Sequence, residues 1–530
     1  MPDRPTLAAS HRVRALRLWR AGARRAAAWK ASAGRRSAAA MVGLVVLGGS
    51  FAVAAPGAAA PAPAPTVRTV QVTSFDGTAI VTNFFPATGL TAGRRAPTVL
   101  VGPGWGQPGE SNPAAPSVAG LRQQGYNVVT WDPRGFGRSG GAASVDWYRY
   151  EGRDMQTLLS WVAAQPEVKL DRPGDARVGM AGGSYGGGIQ FVTAALDRRV
   201  DAIVPTIAWN SLVNSLYPNQ TPKSGWGNLL CGFGSAGTNR VAPQVKATCE
   251  LAATGGLPDA ALEAWWRDHG PAGRLISQVR VPTMIVQGTV DTLFPLREAI
   301  ANYQALRKRG TPVKMVWFCG GHGVCNTPPG QAGHVDALTV AWFDRWLKRS
   351  RSVNTGPGFE YVDDSGVWRG APAYPLSRTR RVSTTGSGTL AFSPADTSGT
   401  DIAAQPATNA VRVPGPKSRG QVVGSPTLTL TYRGTGNAPR TSLYAQVVDT
   451  RRNVVTGNFA TALPVVLDGK THTLTIPLGA MAWTTGALQL QIIGGSRLYY
   501  PQRVTGSVTI RATVRYPVTP PAHTVSFGGS

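Results

Sequence analysis

The sequence predicts an α/β domain built on a parallel sheet, followed by an all-β sandwich domain. Between residues 97 and 350, short continuous apolar runs alternate with helical patterns, as in βαβ units whose strands are buried on both faces. After residue 353 the helical periodicity ends, and alternating apolar and polar runs between Gly- and Pro-rich segments indicate a sandwich of jelly-roll type. A chain of 530 residues is too long for one ordinary domain, in agreement with at least two folded units.

The N-terminal segment predicts export from the cytoplasm. Ten of the 54 Lys and Arg residues lie in the first 40 residues with a single acid, and the apolar run Ala38–Ala55 follows. This pattern is typical of a secretory signal, so we expect residues 1–60 to be a signal peptide and Ala/Pro linker, cleaved after Ala54 or Ala60. The pair Arg35–Arg36 leaves twin-arginine export open beside general secretion. We expect a secreted or cell-wall-associated protein without stable membrane insertion; an uncleaved N-terminal anchor is the alternative.

The formal net charge of +27 raises the question of a nucleic-acid partner. Outside the N-terminal segment the basic residues are scattered, and they form no stripe interleaved with aromatic residues of the kind that a nucleic-acid groove requires. The sequence thus predicts no nucleic-acid partner and no cofactor, and it leaves the oligomeric state open.

Four cysteines remain in the exported part of the chain, Cys231, Cys249, Cys319 and Cys325. An even number in an oxidising compartment favours two disulfides, and proximity favours Cys231–Cys249 and Cys319–Cys325 among the three possible pairings. Zinc is the competing interpretation, but no C-x-x-C spacing occurs, and His322 between the cysteines has a better role below. We therefore expect disulfides and no metal.

The exported chain is predicted to contain two domains and an insertion. Residues 66–352 are expected to form the α/β domain, and residues 353–530 the β-domain. Between residues 209 and 278 the strand pattern gives way to a Trp-, Gly- and Pro-rich stretch. An insertion of this size at the carboxyl edge of a parallel sheet would lie over a site at that edge, so we interpret it as a helical cap.

The segment Gly182–Gly186 reads Gly-Gly-Ser-Tyr-Gly and fits the pattern G-x-S-x-G. It follows a buried strand pattern and precedes an apolar helical run, which is the context of a strained turn that exposes a serine oxygen at the top of the sheet. This predicts an α/β-hydrolase fold with Ser184 as the nucleophile. A structural Gly-rich turn is the alternative.

A serine nucleophile requires a base and an acid that orients the base, and in this fold the three follow in the order Ser, Asp, His. Asp291 ends the strand pattern 281–291, and His322 follows the strand pattern 313–321. Because the carboxyl ends of parallel strands meet at one edge of the sheet, we expect both side chains beside Ser184. His334, which also lies in a loop, is the alternative base.

The tetrahedral intermediate of acyl transfer needs N–H donors for its oxyanion. One is expected to be the backbone N–H of Tyr185, and the second to come from the loop 102–106. Within that loop we expect Trp105 to donate, through its backbone or its indole N–H, and packing on the cap is the alternative role of its ring. If Cys319 and Cys325 are joined, they restrain the loop that carries the base.

Several motifs in combination resemble one known family. They are the triad segments, the turn WDPRGFGRSGG, the strand and loop VQGTVDTLFPLREA, the closing WFDRWLK and the C-terminal β-domain. Over about residues 66–515 the chain resembles the X-prolyl dipeptidyl-peptidase and cocaine-esterase-like family of α/β-hydrolases. The resemblance implies Ser184 as nucleophile, Asp291 as orienting acid and His322 as base. It also implies a tyrosine hydroxyl in the oxyanion hole, but Trp105 stands at that position, within PGWG.

The sequence therefore predicts a secreted serine hydrolase that acts through an acyl-enzyme. Its two expected substrate classes are X-Pro dipeptides at the N-termini of peptides and small acyl esters. The sequence does not identify an acidic residue that would bind a free peptide N-terminus. The alternative from another class is a non-catalytic protein whose β-domain binds cell wall or glycan.

Overall fold

The computed structural model describes residues 65–397 and 399–525, so the predicted signal peptide lies outside the described residues. The α/β part begins with two antiparallel strands and continues with strands that alternate with helices, as predicted. In chain order its strands are β1 (Arg68–Thr73), β2 (Ala79–Phe85), β3 (Thr98–Gly102), β4 (Asn127–Trp131), β5 (Leu170–Arg172), β6 (Asp175–Ala176), β7 (Val178–Gly183), β8 (Val200–Thr206), β9 (Thr283–Gly288), β10 (Val313–Phe318), β11 (Phe359–Val362) and β12 (Trp368–Ala371).

The α-helices of the described residues also lie in this part of the chain. Four of them fall within the predicted insertion 209–278, so the cap is helical, as expected. In chain order the helices are α1 (Pro116–Gln123), α2 (Glu151–Ala163), α3 (Tyr185–Leu196), α4 (Leu212–Leu216), α5 (Ser224–Gly234), α6 (Pro243–Thr254), α7 (Ala260–Asp268), α8 (Leu296–Lys308) and α9 (His334–Trp346). Within residues 65–397 and 399–525, every helix is too short or too polar to cross a bilayer.

The C-terminal part is an antiparallel β-domain. Its strands enclose a core of Leu, Val and Ile side chains. They are β13 (Arg380–Phe392), β14 (Val411–Pro414), β15 (Gln421–Gly424), β16 (Thr427–Asp449), β17 (Val454–Pro477), β18 (Met481–Thr484), β19 (Leu488–Ile493) and β20 (Gly506–Thr519). The last strand, β21 (His523–Thr524), belongs to the first sheet.

The first sheet has the order β1-β2-β4-β3-β7-β8-β9-β10-β11-β12-β21. Its centre, from β4 to β11, is parallel, and the outer strands pair antiparallel. Parallel strands need crossover connections, which the helices supply. All central strands therefore end at the same edge, and the loops that carry the site leave the sheet there.

The boundary predicted at residue 353 is too early. β11 pairs in parallel with β10, and β12 pairs with β11 and with the late strand β21, so the first sheet continues to Ala371 and takes one strand from near the end of the chain. The β-domain proper begins with β13. Two of its strands are long, with 23 residues in β16 and 24 in β17, and several register shifts interrupt their pairing.

Candidate active site

Ser184 lies in the turn between β7 and α3. Its φ of 57° and ψ of −116° are strained for a residue with a side chain, and its N–H donates to the Thr206 carbonyl at 2.9 Å. The turn is possible because its flanks are glycines: a Cβ on Gly182 would lie 2.6 Å from the Gly102 carbonyl oxygen, and one on Gly186 would overlap the same residue. The Ser184 hydroxyl is thereby held at the carboxyl edge of the sheet.

Asp291 follows β9 and is 2% exposed. Its Oδ1 accepts hydrogen bonds from the N–H groups of Leu293 at 3.1 Å and Phe294 at 2.8 Å, and the Gln287 amide donates to Oδ2 at 3.4 Å. A buried carboxylate needs such donors. They fix the carboxylate so that Oδ2 is directed to the next loop.

His322 follows β10 and connects the other two side chains. Its Nδ1 lies 2.7 Å from Asp291 Oδ2, and its Nε2 lies 2.8 Å from Ser184 Oγ. The rings of Trp226 and Phe294 contact the imidazole edge-to-face, with centroids 5.7 and 5.3 Å away. With Nδ1–H donated to the carboxylate, Nε2 is free to accept the serine proton, which is the arrangement that activates a nucleophile.

The alternative base, His334, lies elsewhere. Its Nε2 is 2.7 Å from Glu360 Oε2, and its ring stacks on Trp368 at 4.1 Å. It is buried at the start of α9, so its role is structural. Of the two histidines that the sequence offers, the structure brings only His322 to Ser184.

Both predicted disulfides are present, Cys231–Cys249 and Cys319–Cys325. The zinc interpretation of these four residues is therefore wrong, because their sulfur atoms are joined in pairs. The second disulfide closes the loop that carries His322. The first joins α5 to α6 within the cap.

The structure bears on two of the predicted oxyanion donors, Tyr185 and Trp105. Tyr185 is the first residue of α3, and the first N–H groups of a helix have no intrahelical partner, so its N–H stays the predicted first donor. The indole of Trp105 is not such a donor, because its N–H already donates to the Leu230 carbonyl of the cap at 3.0 Å. Its ring packs edge-to-face on Tyr185 at 5.1 Å. The backbone N–H of Trp105 stays a prediction.

A cavity of about 120 Å³ opens from Ser184 into the space beneath the cap. Among the described residues that line it, none is Asp or Glu, and Lys223 carries the one basic side chain. The disulfide Cys231–Cys249 forms part of the wall. The remaining wall is mostly apolar and includes Trp209, Leu212, Leu216, Val245, Leu251, Trp265, Trp266 and Leu293.

A group of buried acids beneath Tyr185 was not identified from the sequence. The Tyr185 hydroxyl donates to Glu151 Oε1 at 3.3 Å, and Glu151 also accepts hydrogen bonds from the N–H groups of Ser144 and Trp147. Burial raises the pKa of Glu151 to about 7, and burial beside Glu151 raises that of Asp146 well above its ordinary value. The sequence signal is weak, since Glu151 stands at the start of α2, where acids are common, and Asp146 lies in the loop before this helix.

Comparison with known proteins supports the chemistry of this geometry. Residues 76–324, which contain Ser184, Asp291 and His322, match the model of the X-Pro dipeptidyl-peptidase (S15) family. The family resemblance predicted from the sequence is confirmed. The matched segment therefore supplies all three side chains of the hydrogen-bonded triad.

Curated relatives match over short segments. The chain is 26% identical over 137 residues to the polyketide transferase grgF of Penicillium sp, a match that covers 26% of this chain and 42% of that protein. It is 33% identical over 87 residues to an uncharacterized 31.7 kDa protein of Escherichia coli, covering 16% of this chain and 29% of that protein. The chain therefore spans less than half the length of these curated relatives.

Solved structures are similar over most of the chain. An α-amino acid ester hydrolase matches with a TM-score of 0.66 at 15% identity, covering 88% of this chain and 98% of that one. A CocE/NonD family hydrolase from Staphylococcus aureus matches with a TM-score of 0.63 at 15% identity, covering 85% and 93%. These likenesses show the α/β-hydrolase fold together with the C-terminal β-domain.

Proposed function

We propose that this protein is a serine hydrolase that cleaves esters with an apolar acyl group through an acyl-enzyme. The observation that carries the proposal is the hydrogen-bonded series Asp291–His322–Ser184 at the foot of an apolar cavity. Ser184 Oγ attacks the carbonyl carbon while His322 Nε2 takes its proton. The Tyr185 N–H stabilises the oxyanion, and His322 then returns the proton to the leaving oxygen.

The second half of the reaction uses the same groups. A water molecule loses a proton to His322 Nε2 and attacks the acyl carbon of the ester on Ser184. The collapse of the intermediate returns the proton to Ser184 Oγ and releases a carboxylic acid. Asp291 holds the imidazolium through Nδ1 in both halves.

The lining of the cavity favours esters over X-Pro peptides. Dipeptide release from a peptide N-terminus requires recognition of an ammonium group, for which a carboxylate is the natural partner. The cavity walls formed by the described residues carry no carboxylate that could bind it. X-Pro peptides remain the second candidate because the chain matches the X-Pro dipeptidyl-peptidase family model.

Secretion is part of the proposal. The N-terminal basic and apolar segment supports export, and two disulfides are typical of proteins that function in an oxidising compartment. Sequencing the N-terminus of protein recovered from the culture medium tests it: the expected N-terminus lies near Ala55 or Pro61, and an intact Met1 in the membrane fraction would contradict it.

The decisive test is a kinetic comparison of p-nitrophenyl esters, from acetyl to octanoyl, with Gly-Pro and Ala-Pro anilides. We expect ester cleavage that Ser184→Ala lowers by about 10⁴- to 10⁶-fold. Serine-dependent cleavage of the anilides at comparable kcat/KM would establish the peptidase instead. Ester cleavage that persists in Ser184→Ala would remove Ser184 from the mechanism.

A further inference from the structure

Lys223 is a buried basic residue that the mechanism above does not use. It is the N-cap residue of α5 and is 2% exposed. N-cap positions favour Ser, Thr, Asp or Asn, and the N-terminus of a helix carries a partial positive charge. Burial lowers the pKa of the Lys223 amine well below its ordinary value, and Arg297 adds to this effect. Neither the helix nor the apolar cavity therefore accounts for a lysine at this position.

Hydrogen bonds connect the Lys223 amine to the peptide units that hold Asp291 of the triad. Lys223 Nζ donates to the backbone carbonyls of Thr292 at 2.6 Å and Leu293 at 3.2 Å. The N–H groups of the same two peptide units, on Leu293 and Phe294, are the donors that hold Asp291 Oδ1. A peptide unit is planar and rigid, so holding its carbonyl fixes the direction of its N–H. Hydrogen bonds in series also polarise one another.

Trp226, in the first turn of α5, supports the same loop. Its indole N–H donates to Thr292 Oγ1 at 2.9 Å, and its ring contacts the imidazole of His322. Thr292 Oγ1 in turn donates to the Ile402 carbonyl at 2.5 Å. The start of this cap helix thus contacts both the loop of the acid and the ring of the base.

We propose that Lys223, together with Trp226, is a positioning residue for the triad. Lys223 aligns the two peptide units that hold Asp291, and through Asp291 it orients His322 toward Ser184. The cap is therefore part of the catalytic geometry as well as the wall of the cavity. This inference rests on the proposed function, because it acts through the same triad.

The test replaces Lys223 with methionine, which keeps the length of the side chain and removes its N–H donors. The readouts are the rate at which a fluorophosphonate probe labels Ser184 as a function of pH, and kcat and KM for p-nitrophenyl butanoate. In Lys223→Met we expect labelling and kcat to fall about 10- to 100-fold, with KM within about threefold. The acid limb of the pH profile should move to lower pH, because an imidazolium that loses its aligned carboxylate is less stable.

Lys314→Met is the matched control. Lys314 is also 2% exposed, and its Nζ donates to the Pro357 carbonyl at 2.7 Å and pairs with Glu360. It lies near the start of β10, at the opposite end of that strand from the triad. This variant should lose stability but keep the wild-type labelling rate and pH midpoint per folded molecule.

Trp226→Phe keeps the test decisive if Lys223→Met does not fold. It removes the indole N–H and keeps an aromatic ring beside His322, and we expect labelling to fall by about 3- to 10-fold. Wild-type labelling rates and pH midpoints in the folded variants would overturn the positioning role, as would an equal loss in Lys314→Met. Ser184→Ala distinguishes a failure of the proposed function from a failure of the positioning role. If the probe still labels Ser184→Ala, the proposed function is contradicted. If labelling depends on Ser184 but is unchanged in the Lys223 and Trp226 variants, only the positioning role is contradicted.

Discussion

Glu151 is a buried carboxyl group that holds the backbone of Trp147, whose ring contacts the cap. Its carboxylate accepts the Trp147 N–H at 3.1 Å, and the Trp147 ring stacks on His269 of the cap at 5.3 Å. Because burial raises the pKa of Glu151 to about 7, the side chain keeps its proton in the folded protein up to near neutral pH. In the unfolded chain the same side chain ionises near its ordinary pKa of 4.5.

This difference in pKa predicts how Glu151→Gln changes stability with pH. Below pH 4.5 both states are protonated and the residue contributes no pH dependence. Between about pH 4.5 and 7 ionisation stabilises only the unfolded state, so wild-type stability falls relative to that of the variant. Because the pKa is about 7 in the folded protein and 4.5 in the unfolded chain, we expect the free energy of unfolding of Glu151→Gln to rise by up to about 3 kcal/mol relative to wild type over this range.

Urea unfolding at several pH values between 4 and 8 measures the difference. Glu263→Gln is the control, because Glu263 lies on the cap surface where it pairs with Arg267. Its difference from wild type should stay within about 0.5 kcal/mol at every pH. A pH-independent difference for Glu151→Gln as well would show that burial does not raise the pKa of this carboxyl.

At the scale of elements, the loop after β10 depends on the disulfide Cys319–Cys325. The loop has two glycines with positive φ, Gly320 and Gly321, directly before His322, and glycine restricts the backbone less than other residues do. We expect the double variant Cys319→Ser/Cys325→Ser to lower kcat about 10-fold at nearly unchanged KM, because the imidazole leaves its productive position more often. Dithiothreitol should have the same effect on the wild-type protein.

The cap disulfide provides the comparison for this loop. Cys231 and Cys249 line the cavity, so the double variant Cys231→Ser/Cys249→Ser should change KM more than kcat. Stopped-flow or steady-state kinetics on one ester separates the two patterns. Fully reduced protein with wild-type kcat would exclude a role for the disulfide of the His322 loop in catalysis.

The sequence predicts the three side chains of the triad better than the contacts that hold them in place. Ser184, Asp291 and His322 each follow a continuous apolar strand, and the parallel topology then requires the three loops to meet at one edge. The contact between Lys223 and the 292–293 backbone has no such local signal. It joins positions about 70 residues apart, and only the folded cap brings them together.

The sequence also does not show how far the first sheet extends, because this too depends on long-range contacts. β11 and β12 have four residues each and lie between Gly- and Pro-rich turns, so their pattern does not differ from that of the β-domain strands. Their place in the first sheet is set by long-range pairing, of β11 with β10 and of β12 with β21. The full length of β16 and β17 is also not evident from the sequence, because register shifts interrupt the pairing of these two strands.

At the scale of the whole molecule, the β-domain forms part of the cavity wall through Tyr500. A Cβ on Gly255, at the end of α6, would overlap the Tyr500 ring, so cap and β-domain meet closely here. Arg503 lies over the same ring at 4.4 Å and donates to the Thr254 carbonyl at 3.2 Å. The β-domain therefore closes one side of the cavity that is proposed to hold the acyl group.

Removing the Tyr500 ring should lengthen the acyl chains that the protein cleaves best. In Tyr500→Ala the cavity gains space, and each further methylene buried there is worth up to about 0.8 kcal/mol, or about 4-fold in kcat/KM. We expect the optimum in a series of p-nitrophenyl esters from butanoyl to dodecanoyl to move by at least two carbons. Tyr500→Phe keeps the ring and should keep the wild-type profile. If the Tyr500→Ala profile matches that of wild type while the protein stays folded, the acyl group does not reach this wall, and the β-domain supports the cap without selecting the substrate.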